Sequence, residues 1–176
     1  SVTKMYQMFA GATGFNQPIG DWDVSSVTNM SLMFSSCSDF DQDLSNWDVS
    51  SVTNMSYLFN RTSFNNGGST GINNWNTSSC TRMDYMFNSC TGFNQPIGNW
   101  DTSNVTNMDS MFRAYDVGQT MIFDQDIGNW DVGNVTTFRT MFYSSNTNSP
   151  FNNGGSPSIS GWNPSSATNM AYMFQR

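Results

Sequence analysis

Six Trp residues recur along this chain, and each is followed by a Phe twelve positions later. The interval from Trp to Phe is constant, whereas the interval from one Phe to the next Trp varies in length. A constant spacing indicates the packed core of a repeated unit, and a variable spacing indicates surface loops. We assign to the core the columns Trp22, Trp47, Trp75, Trp100, Trp130 and Trp162, and Phe34, Phe59, Phe87, Phe112, Phe142 and Phe174.

The repeats extend over the whole chain, from residue 1 to residue 176. We predict a single repeat domain of six coils and a leading partial coil, because one domain of this length buries about 70% of its unfolded surface. The sequence opens inside a unit and without Met, so we expect it to be part of a longer chain.

Charge is sparse and mostly negative: 13 acidic residues, all Asp, against six cations give a formal net charge of −7. The cations lie far apart in the sequence, so we predict no basic face, and neither nucleic acid nor anionic lipid as a partner. No apolar run approaches the ~18 residues of a spanning helix, which predicts no direct membrane insertion. The cations are Lys4, Arg61, Arg82, Arg113, Arg139 and Arg176.

The chain lacks His and Glu, two of the residue types that most often act as a catalytic acid or base. No Ser has a plausible base beside it, so we predict no enzymatic activity and no cofactor. The three Cys residues, Cys37, Cys80 and Cys90, are interpreted as small buried hydrophobic residues with free thiols.

The first half of each unit has the pattern of a short strand. Trp22 and Val24 are two residues apart, so both side chains face one side of an extended segment. Ile19, Trp22 and Val24 also match the spacing of L-x-x-L-x-L, the first half of a leucine-rich repeat. We predict a strand that pairs in parallel with its neighbours in the adjacent coils.

The second half of each unit has the pattern of a helix. Val27, Met30, Met33 and Phe34 follow one stripe of a helix, and the Met-rich stripe is interpreted as core. Ser26, before the Val, is a preferred N-cap residue. A helix of about two turns is too short to be stable alone, so stacking of the coils must stabilise it.

Columns of Asn and Asp recur as well, and they allow two interpretations. Asx side chains mimic a turn of main chain and can bond groups of their own and adjacent coils. Alternatively, carboxylates of neighbouring turns could supply oxygen ligands to calcium, although no stretch matches a known calcium-binding loop. A solvated acidic loop is the favoured interpretation of the weak calcium candidates, Asp41, Asp43, Asp124 and Asp126.

Two other features are candidate binding surfaces. The inserts 60–74 and 143–161 share the string FNNGGS, and we expect variable loops of this kind to carry a ligand site. A row of Thr, one residue beyond the Val position of each unit, could contact an ordered surface such as ice or could be an ordinary structural feature. The row comprises Thr3, Thr28, Thr53, Thr81, Thr106, Thr136 and Thr168.

The string SVTNMSLMFSSCSDFDQDLSNWDVSSVTNM, residues 26–55, resembles the bacterial-surface-protein repeat of about 25 residues in BspA-like leucine-rich-repeat proteins. The motif pieces W-D-V-S-S-V-T-N-M and F-N-Q-P-I-G recur at fixed offsets, and the resemblance covers the whole chain. It implies a solenoid of the leucine-rich-repeat kind on a secreted or cell-surface protein, with adhesion or host interaction for some members. It implies no catalytic residues.

These observations predict an α/β fold: a right-handed, leucine-rich-repeat-like solenoid with one short parallel strand and one short helix per coil. The expected function is a non-enzymatic adhesion or binding scaffold, extracellular or at the cell surface, whose partner is a protein or a glycan. The alternative is a structural subunit that self-assembles end to end into an extracellular fibre. The end coils are as apolar as the interior ones, which makes Met5, Phe9, Met170 and Phe174 the candidate residues for self-association.

Overall fold

A computed structural model of the chain describes residues 1–114, 120–145, 151–155 and 159–175. The units lie on one another in chain order, and the same position of each unit pairs with its equivalent in the next. Each pairing is an isolated parallel β-bridge and not part of a longer strand. The chain of bridges runs through Lys4, Asn29, Asn54, Arg82, Asn107, Thr137 and Asn169.

The prediction of an α/β solenoid with one strand and one helix per coil is wrong. The described residues contain no α-helix and no β-strand, and the coils are instead a succession of tight turns. The regular elements among them are three short 3-10 helices, Asn66–Gly68, Gly71–Asn74 and Asn153–Gly155. None of these lies where the helical stripe was predicted.

Turns replace the predicted helix. The amide of Met33 donates to the carbonyl of Met30, three residues earlier, at 3.1 Å, and Leu32 between them has a φ of +59°. This left-handed conformation is incompatible with continuation of an α-helix. The residue before the Val does not act as an N-cap, because Val27 donates to Val24 in a turn of its own.

The spacing of the coils explains why a helix does not form. The rings of Phe34 and Phe59, in adjacent coils, are 5.8 Å apart and tilted by only 1°. An α-helix with its side chains is 10–12 Å across, so two helices cannot occupy the same position in coils this close together. A chain of turns is thinner and keeps every part of a coil in contact with its neighbours.

Main-chain hydrogen bonds between coils take the place of helical ones. The amides of Met30, Leu32 and Phe34 donate to carbonyls of the next coil, and the carbonyls of Asn29 and Ser31 accept from the previous coil. Alternate residues therefore direct their peptide groups along the stack. The left-handed residue recurs at one position in each coil: Gln7, Leu32, Tyr57, Tyr85, Ser110, Thr140 and Tyr172.

The predicted strand is also a turn. The amide of Trp47 donates to the carbonyl of Leu44 at 3.0 Å, and the equivalent turn ends at each of the other Trp residues. The four interior Trp residues are 2–4% exposed, whereas Trp22 in the first coil is 38% exposed and Trp162 is partly buried. In the Phe column, Phe34 to Phe142 are buried and Phe174 in the last coil is half exposed.

A second Phe column doubles the aromatic core. Phe34 and Phe40 of one coil stack at 3.9 Å, and Phe59 and Phe64 of the next stack at 3.7 Å. The second column is Phe15, Phe40, Phe64, Phe93, Phe123 and Phe151, whose neighbours lie 5.8–6.2 Å apart. Rings therefore stack both within and between coils.

A ladder of Asn and Asp side chains runs beside the second Phe column. The carboxylate of Asp41 accepts the amides of Asn65 and Gly67 from the next coil, at 2.7 and 2.9 Å. Each side chain of the ladder accepts the amide of its successor, as the turn-forming interpretation predicted. The ladder is Asn16, Asp41, Asn65, Asn94, Asp124 and Asn152.

The loop motifs form a pattern of three coils that occurs twice. The motifs FNQP, FDQD and FNNGG begin at Phe15, Phe40 and Phe64, and again at Phe93, Phe123 and Phe151. Both FDQD coils hold the following FNNGG coil through the same carboxylate oxygens. Both FNQP coils carry a Gly where a Cβ would lie 2.5 Å from a carbonyl of the FDQD coil, so neither position has room for a side chain.

The shared FNNGGS inserts are part of the stack and not free loops. Asn66 is fully buried, its carbonyl oxygen accepts the amide of Leu44, and its amide nitrogen donates to Asp43 and Ser69. Asn153 repeats the contacts with the coil before it, through Ile127 and Asp126. Residues 146–150 and 156–158 of the insert 143–161 lie outside the described residues. The described parts of both inserts therefore contribute contacts to the stack, whereas a ligand site on them stays a prediction.

The Thr row and the thiols also have structural partners. The hydroxyl of each Thr from Thr28 onwards donates to the carbonyl of the preceding Thr, at 2.9–3.2 Å. All three Cys residues are buried, free thiols. Burial raises the pKa of Cys80 and of Cys90 to about 12. In the described part of the chain, no helix has the length and apolarity needed to cross a membrane.

Candidate ligand-binding face

The fold gathers the cations and the tyrosines onto one side of the stack. We name as the Tyr–Arg face the exposed side chains of residues 4–11, 29–36, 54–61, 82–89, 107–114, 137–144 and 169–175. This face contains all five cations and all five tyrosines of the described residues, but only two of their Asp. Arg176 and Tyr115 lie outside the described residues. Cations that are far apart in the sequence therefore lie in segments that stack on one another, whereas the expected absence of nucleic acid and anionic lipid as partners stays a prediction.

Asp84 organises the centre of this face. Its two carboxylate oxygens accept from Nε and a terminal nitrogen of Arg82, both at 3.0 Å. The hydroxyl of Ser56 in the previous coil donates to the same carboxylate at 2.7 Å. The Asp84 side chain is buried and the Arg82 side chain is half exposed. Hydrogen bonding to Asp84 raises the pKa of Arg82, and the pair leaves little free negative charge at the surface.

Asp109 is neutralised in a similar way one coil later. Nε of Arg139 lies 3.5 Å from one carboxylate oxygen, and the hydroxyl of Ser110 donates to the other at 2.7 Å. Ser110 and Thr140 also share a hydrogen bond at 2.7 Å, which connects the two coils. Both carboxylates of the face are thus engaged by neighbouring side chains.

Aromatic rings stack along the face. The rings of Tyr57 and Tyr85 are 4.4 Å apart and nearly parallel. Burial of the phenol, followed by the neighbouring Tyr85, Asp84 and Asp109, raises the pKa of Tyr57 to about 12. The phenol therefore stays neutral at ordinary pH and can donate a hydrogen bond. Further along, the guanidinium of Arg113 lies 5.2 Å from the centre of the Tyr143 ring, a cation–π distance.

Two shallow depressions occupy this face. The first, about 250 Å³, is lined by Ser36, Tyr57, Asn60, Arg61, Tyr85, Asn88 and Arg113. The second, about 440 Å³, is lined by Arg113, Arg139, Thr140, Tyr143, Tyr172 and Gln175. Arg113 lines both depressions, and the described residues that line them include no carboxylate.

The calcium candidates are engaged in packing the coils. Asp41 and Asp124 accept main-chain amides of the next coil, as described above for the ladder. Asp43 and Asp126 accept the side-chain amides of Asn66 and Asn153. Among the described residues, no group of three or more carboxylate or thiol side chains is placed to hold a metal ion.

The predicted self-association residues lie at the two ends of the stack. Met5 is buried and Phe9 partly buried, whereas Met170 and Phe174 are 45% and 50% exposed. The large exposed hydrophobic side chains of the described residues belong to the first and last coils, with the exception of Ile122. These are Val2, Tyr6, Met8, Trp22, Met170, Tyr172 and Phe174.

Sequence reasoning missed the Tyr–Arg face, although a signal for it was present. The position of Leu32 is occupied by Tyr, Ser, Thr or Gln in other units, and the position of Ser35 by Asn, Arg, Tyr, Gln or Ala. Placed in a stack, the same positions form two adjacent variable rows.

Comparison with protein families gives one match, which covers the chain in two overlapping parts. A family model described as "Mycoplasma protein of unknown function, DUF285" matches residues 1–70 and 64–176. No curated protein and no solved structure matches the chain. The two matched parts overlap at the first FNNGG motif and contain every Trp-to-Phe unit described above. The chain therefore belongs to the DUF285 family.

Proposed function

We propose that this chain is a non-enzymatic binding scaffold whose ligand contacts the Tyr–Arg face. The observation that carries the proposal is the concentration of all described cations and tyrosines on one side of an otherwise acidic molecule. Tyr and Arg are the residue types most enriched where proteins bind their partners, because each combines a large contact area with hydrogen bonding.

The contrast between rows of the surface supports this proposal. The exposed Thr row and the Asn/Asp ladder repeat because their side chains bond the adjacent coils. The positions of Tyr57 and Arg113 differ from unit to unit, so the stack does not require a particular side chain there. Packing of the coils does not explain why Tyr and Arg occupy these positions in an acidic protein. Binding of a ligand would explain both residue types.

We further propose that the protein acts at the cell surface or outside the cell, as an adhesion module. The support is the resemblance of residues 26–55 to the repeat of BspA-like surface proteins. A protein or a glycan displayed on another surface is the class of partner that such a module would bind.

Binding of the intact chain to arrays of glycans and extracellular proteins tests the proposal. The test variant combines Tyr57→Leu and Arg113→Asn, each of which introduces the residue that occupies the same position in another coil, Leu32 and Asn60. The control Asp48→Asn changes one charge outside the Tyr–Arg face and introduces the residue that occupies the same position in another coil, Asn76. We expect the double variant to lose the ligands that the native chain and the control retain. Equal binding by all three proteins would contradict the proposal.

End-to-end assembly is a second candidate function, favoured by the exposed apolar side chains of the two end coils. At Met30, Leu32 and Phe34 a coil donates amides to the next coil, and at the Thr row it donates an amide to the previous one. The two end surfaces therefore carry complementary main-chain donors and acceptors. Phe174→Asp tests this, with Ile122→Asp as control, since both side chains are about half exposed. We expect sedimentation velocity to show polymers of the native chain and of Ile122→Asp, and only monomers of Phe174→Asp. A native chain that stays monomeric at all concentrations would contradict end-to-end assembly.

A further inference from the structure

We propose that the two FNNGG motifs contain the deamidation sites of this chain, and that contact with the preceding FDQD coil keeps both sites unreactive. The sites are the pairs Asn66–Gly67 and Asn153–Gly154. Opening of the contact between these two coils exposes the pair, and the opening is then recorded as a covalent change in the chain. This inference is independent of the proposed binding function.

The sequence places the reactive dipeptide at one position of the repeat. Asn is a thermolabile residue, and an Asn followed by a Gly loses its side-chain amide most readily, because Gly has no side chain to hinder approach of its main-chain nitrogen. The chain contains 14 Gly, and only Gly67 and Gly154 follow an Asn. Both pairs therefore belong to the same motif in the pattern of three coils.

The reaction needs only the Asn-Gly pair and one water molecule. The main-chain nitrogen of the Gly attacks the side-chain carbonyl carbon of the Asn and forms a C–N bond. The side-chain amide leaves as ammonia and takes the proton that the Gly nitrogen loses. Water then opens the resulting cyclic imide, which leaves a carboxylate in place of the amide, on either a normal or a β-linked main chain.

In the folded chain, the FDQD coil holds all three polar atoms that this reaction uses. The nitrogen of Gly67 donates to Asp41 at 2.9 Å, and the side-chain carbonyl of Asn66 accepts the amide of Leu44 at 2.8 Å. The amide nitrogen of Asn66, which is the leaving group, donates to Asp43 at 3.3 Å. Asn66 is also fully buried, so the stack excludes the water that the reaction requires.

The second pair has equivalent contacts. The nitrogen of Gly154 donates to Asp124 at 3.0 Å, and the side-chain carbonyl of Asn153 accepts the amide of Ile127 at 2.9 Å. The amide nitrogen of Asn153 donates to Asp126 at 3.1 Å. Because the same atoms are held at both places, the protection belongs to the junction between an FDQD coil and an FNNGG coil.

The stack requires both residues of the pair despite their reactivity. Asn66 and Asn153 have φ values of 56° and 52°, a left-handed conformation that Asn adopts more readily than most residues. Gly67 and Gly154 also have positive φ, and a Cβ on them would lie 3.4 and 3.1 Å from a main-chain nitrogen of the FDQD coil. A less reactive dipeptide would be strained here, so the contact between the coils has to supply the protection.

Deamidation destroys the contact that prevented it. A carboxylate in place of the Asn66 amide would face the carboxylate of Asp43 and the carbonyl of Ser69, which accept from that amide at 3.3 and 2.8 Å. An unpaired charge at a fully buried position is strongly unfavourable, and a β-linked product also lengthens the main chain by one atom. A chain that reacts while the coils are apart therefore cannot restore the junction.

Peptide mapping by mass spectrometry during incubation in mildly alkaline buffer tests the proposal. In denaturing guanidinium chloride, we expect Asn66 and Asn153 to lose their amides at similar rates, and faster than any other Asn of the chain. Without denaturant, both rates should fall at least about tenfold, because only the open fraction reacts. Equal rates in the two conditions, or faster loss from other Asn residues in denaturant, would overturn the proposal.

Two carboxylate variants identify the protecting contact, and each site is the control for the other. Without denaturant, Asp41→Ala should accelerate deamidation of Asn66 about tenfold and leave Asn153 unchanged, and Asp124→Ala should do the opposite. Asp41→Asn retains the acceptor and should retain the protection. Folded Ala variants that accelerate neither site, or both sites equally, would overturn protection by the FDQD coil. The comparison of the folded and unfolded native chain does not depend on whether a variant folds.

Refolding tests whether the change is permanent. The fraction of chains that refold on dilution from denaturant should fall with incubation time, in step with deamidation of the two pairs. Asn66→Asp introduces one product directly and should lower the midpoint of urea unfolding more than Asn74→Asp, at an exposed position nearby. Full refolding of deamidated chains, or equal midpoints of the two variants, would overturn a permanent loss of the junction.

Discussion

The indole nitrogen of Trp100 donates a hydrogen bond of 2.8 Å to the main-chain carbonyl of Ile72, in the preceding coil. The same bond recurs from four other Trp residues to the Ile or Leu that lies 28–35 residues before each of them. The indole thus contributes a polar bond between coils as well as apolar area to the core. The donors are Trp47, Trp75, Trp100, Trp130 and Trp162.

Replacement of Trp100 separates these two contributions. Trp100→Phe keeps a ring but removes one of the two donors to the carbonyl of Ile72, whose other donor is the amide of Trp75, and this loss should cost about 0.5–1.5 kcal/mol. Trp100→Ala also leaves a cavity and should cost about 3–5 kcal/mol. The matched control, Trp22→Phe, changes a partly exposed indole in the first coil and should cost much less. Urea unfolding measures all three, and equal losses for Trp100→Phe and Trp22→Phe would contradict the role of the bond.

Asn66 should be one of the most sensitive polar residues of the chain. Its side chain is fully buried and bonds Leu44, Asp43 and Ser69, so Asn66→Ala removes several hydrogen bonds and leaves a buried amide without a partner. We expect a loss of about 2–4 kcal/mol in the free energy of unfolding. Asn74→Ala, at an exposed position nearby, serves as control. If Asn66→Ala lowered the free energy of unfolding no more than Asn74→Ala does, the FNNGGS insert would be a loop independent of the stack.

Calcium should not alter the stability of the stack. Asp41 uses one carboxylate oxygen to accept two main-chain amides, and an Asn at this position keeps that acceptor. We therefore expect Asp41→Asn to retain most of the stability, Asp41→Ala to lose about 1–3 kcal/mol, and neither calcium nor a chelator to change the melting temperature. A chelator-sensitive melting temperature that Asp41→Asn abolishes would instead identify a calcium site.

Alkaline pH should destabilise the fold through its buried thiols. The ordinary pKa of a Cys thiol is 9.0, and burial raises the pKa of Cys80 to about 12, so the unfolded chain releases its proton at a lower pH than the folded chain. Stability is then fully present below pH 9 and falls as pH rises towards 12, by at most about 1.4 kcal/mol per pH unit for each such thiol. Tyr57 adds to the loss between pH 10 and 12.

Cys80→Val provides the control for this prediction, because Val27 and Val52 occupy the same position in other coils. We expect its melting temperature to match that of the native chain near pH 7 and to fall less steeply between pH 9 and 11. Identical pH profiles for the two proteins would show that the thiol at this position does not contribute.

The stacking order and the aromatic columns could be predicted from the sequence because they depend on fixed spacing alone. The local conformation could not, since Val27, Met30, Met33 and Phe34 have the spacing of a helical stripe and of successive turns alike. What decides between them is the distance to the next coil, which is a property of the stack. Leu32 illustrates the difficulty: a left-handed Leu is unfavourable by itself, and its amide bond to Ser56 stabilises it only once the next coil is present.

The binding face was hidden for a related reason. Arg61, Arg113 and Arg139 are separated by dozens of residues, and a charge pattern along the sequence does not reveal that they lie in the third, fifth and sixth stacked segments of one face. These positions are seen to be close together only when the units are aligned without the loops of unequal length that separate them. The sequence therefore predicts the repeated surface rows more readily than the variable ones.

The alternation of FNQP, FDQD and FNNGG coils has a consequence for how such chains can grow during evolution. Loss of the FDQD coil would bring Asn66 against Pro18 of the FNQP coil, which offers no carboxylate for its amide. Gain or loss of three coils would keep every motif beside its proper neighbour. A change in length by three coils is therefore the one that this stack accommodates without creating a new contact between motifs.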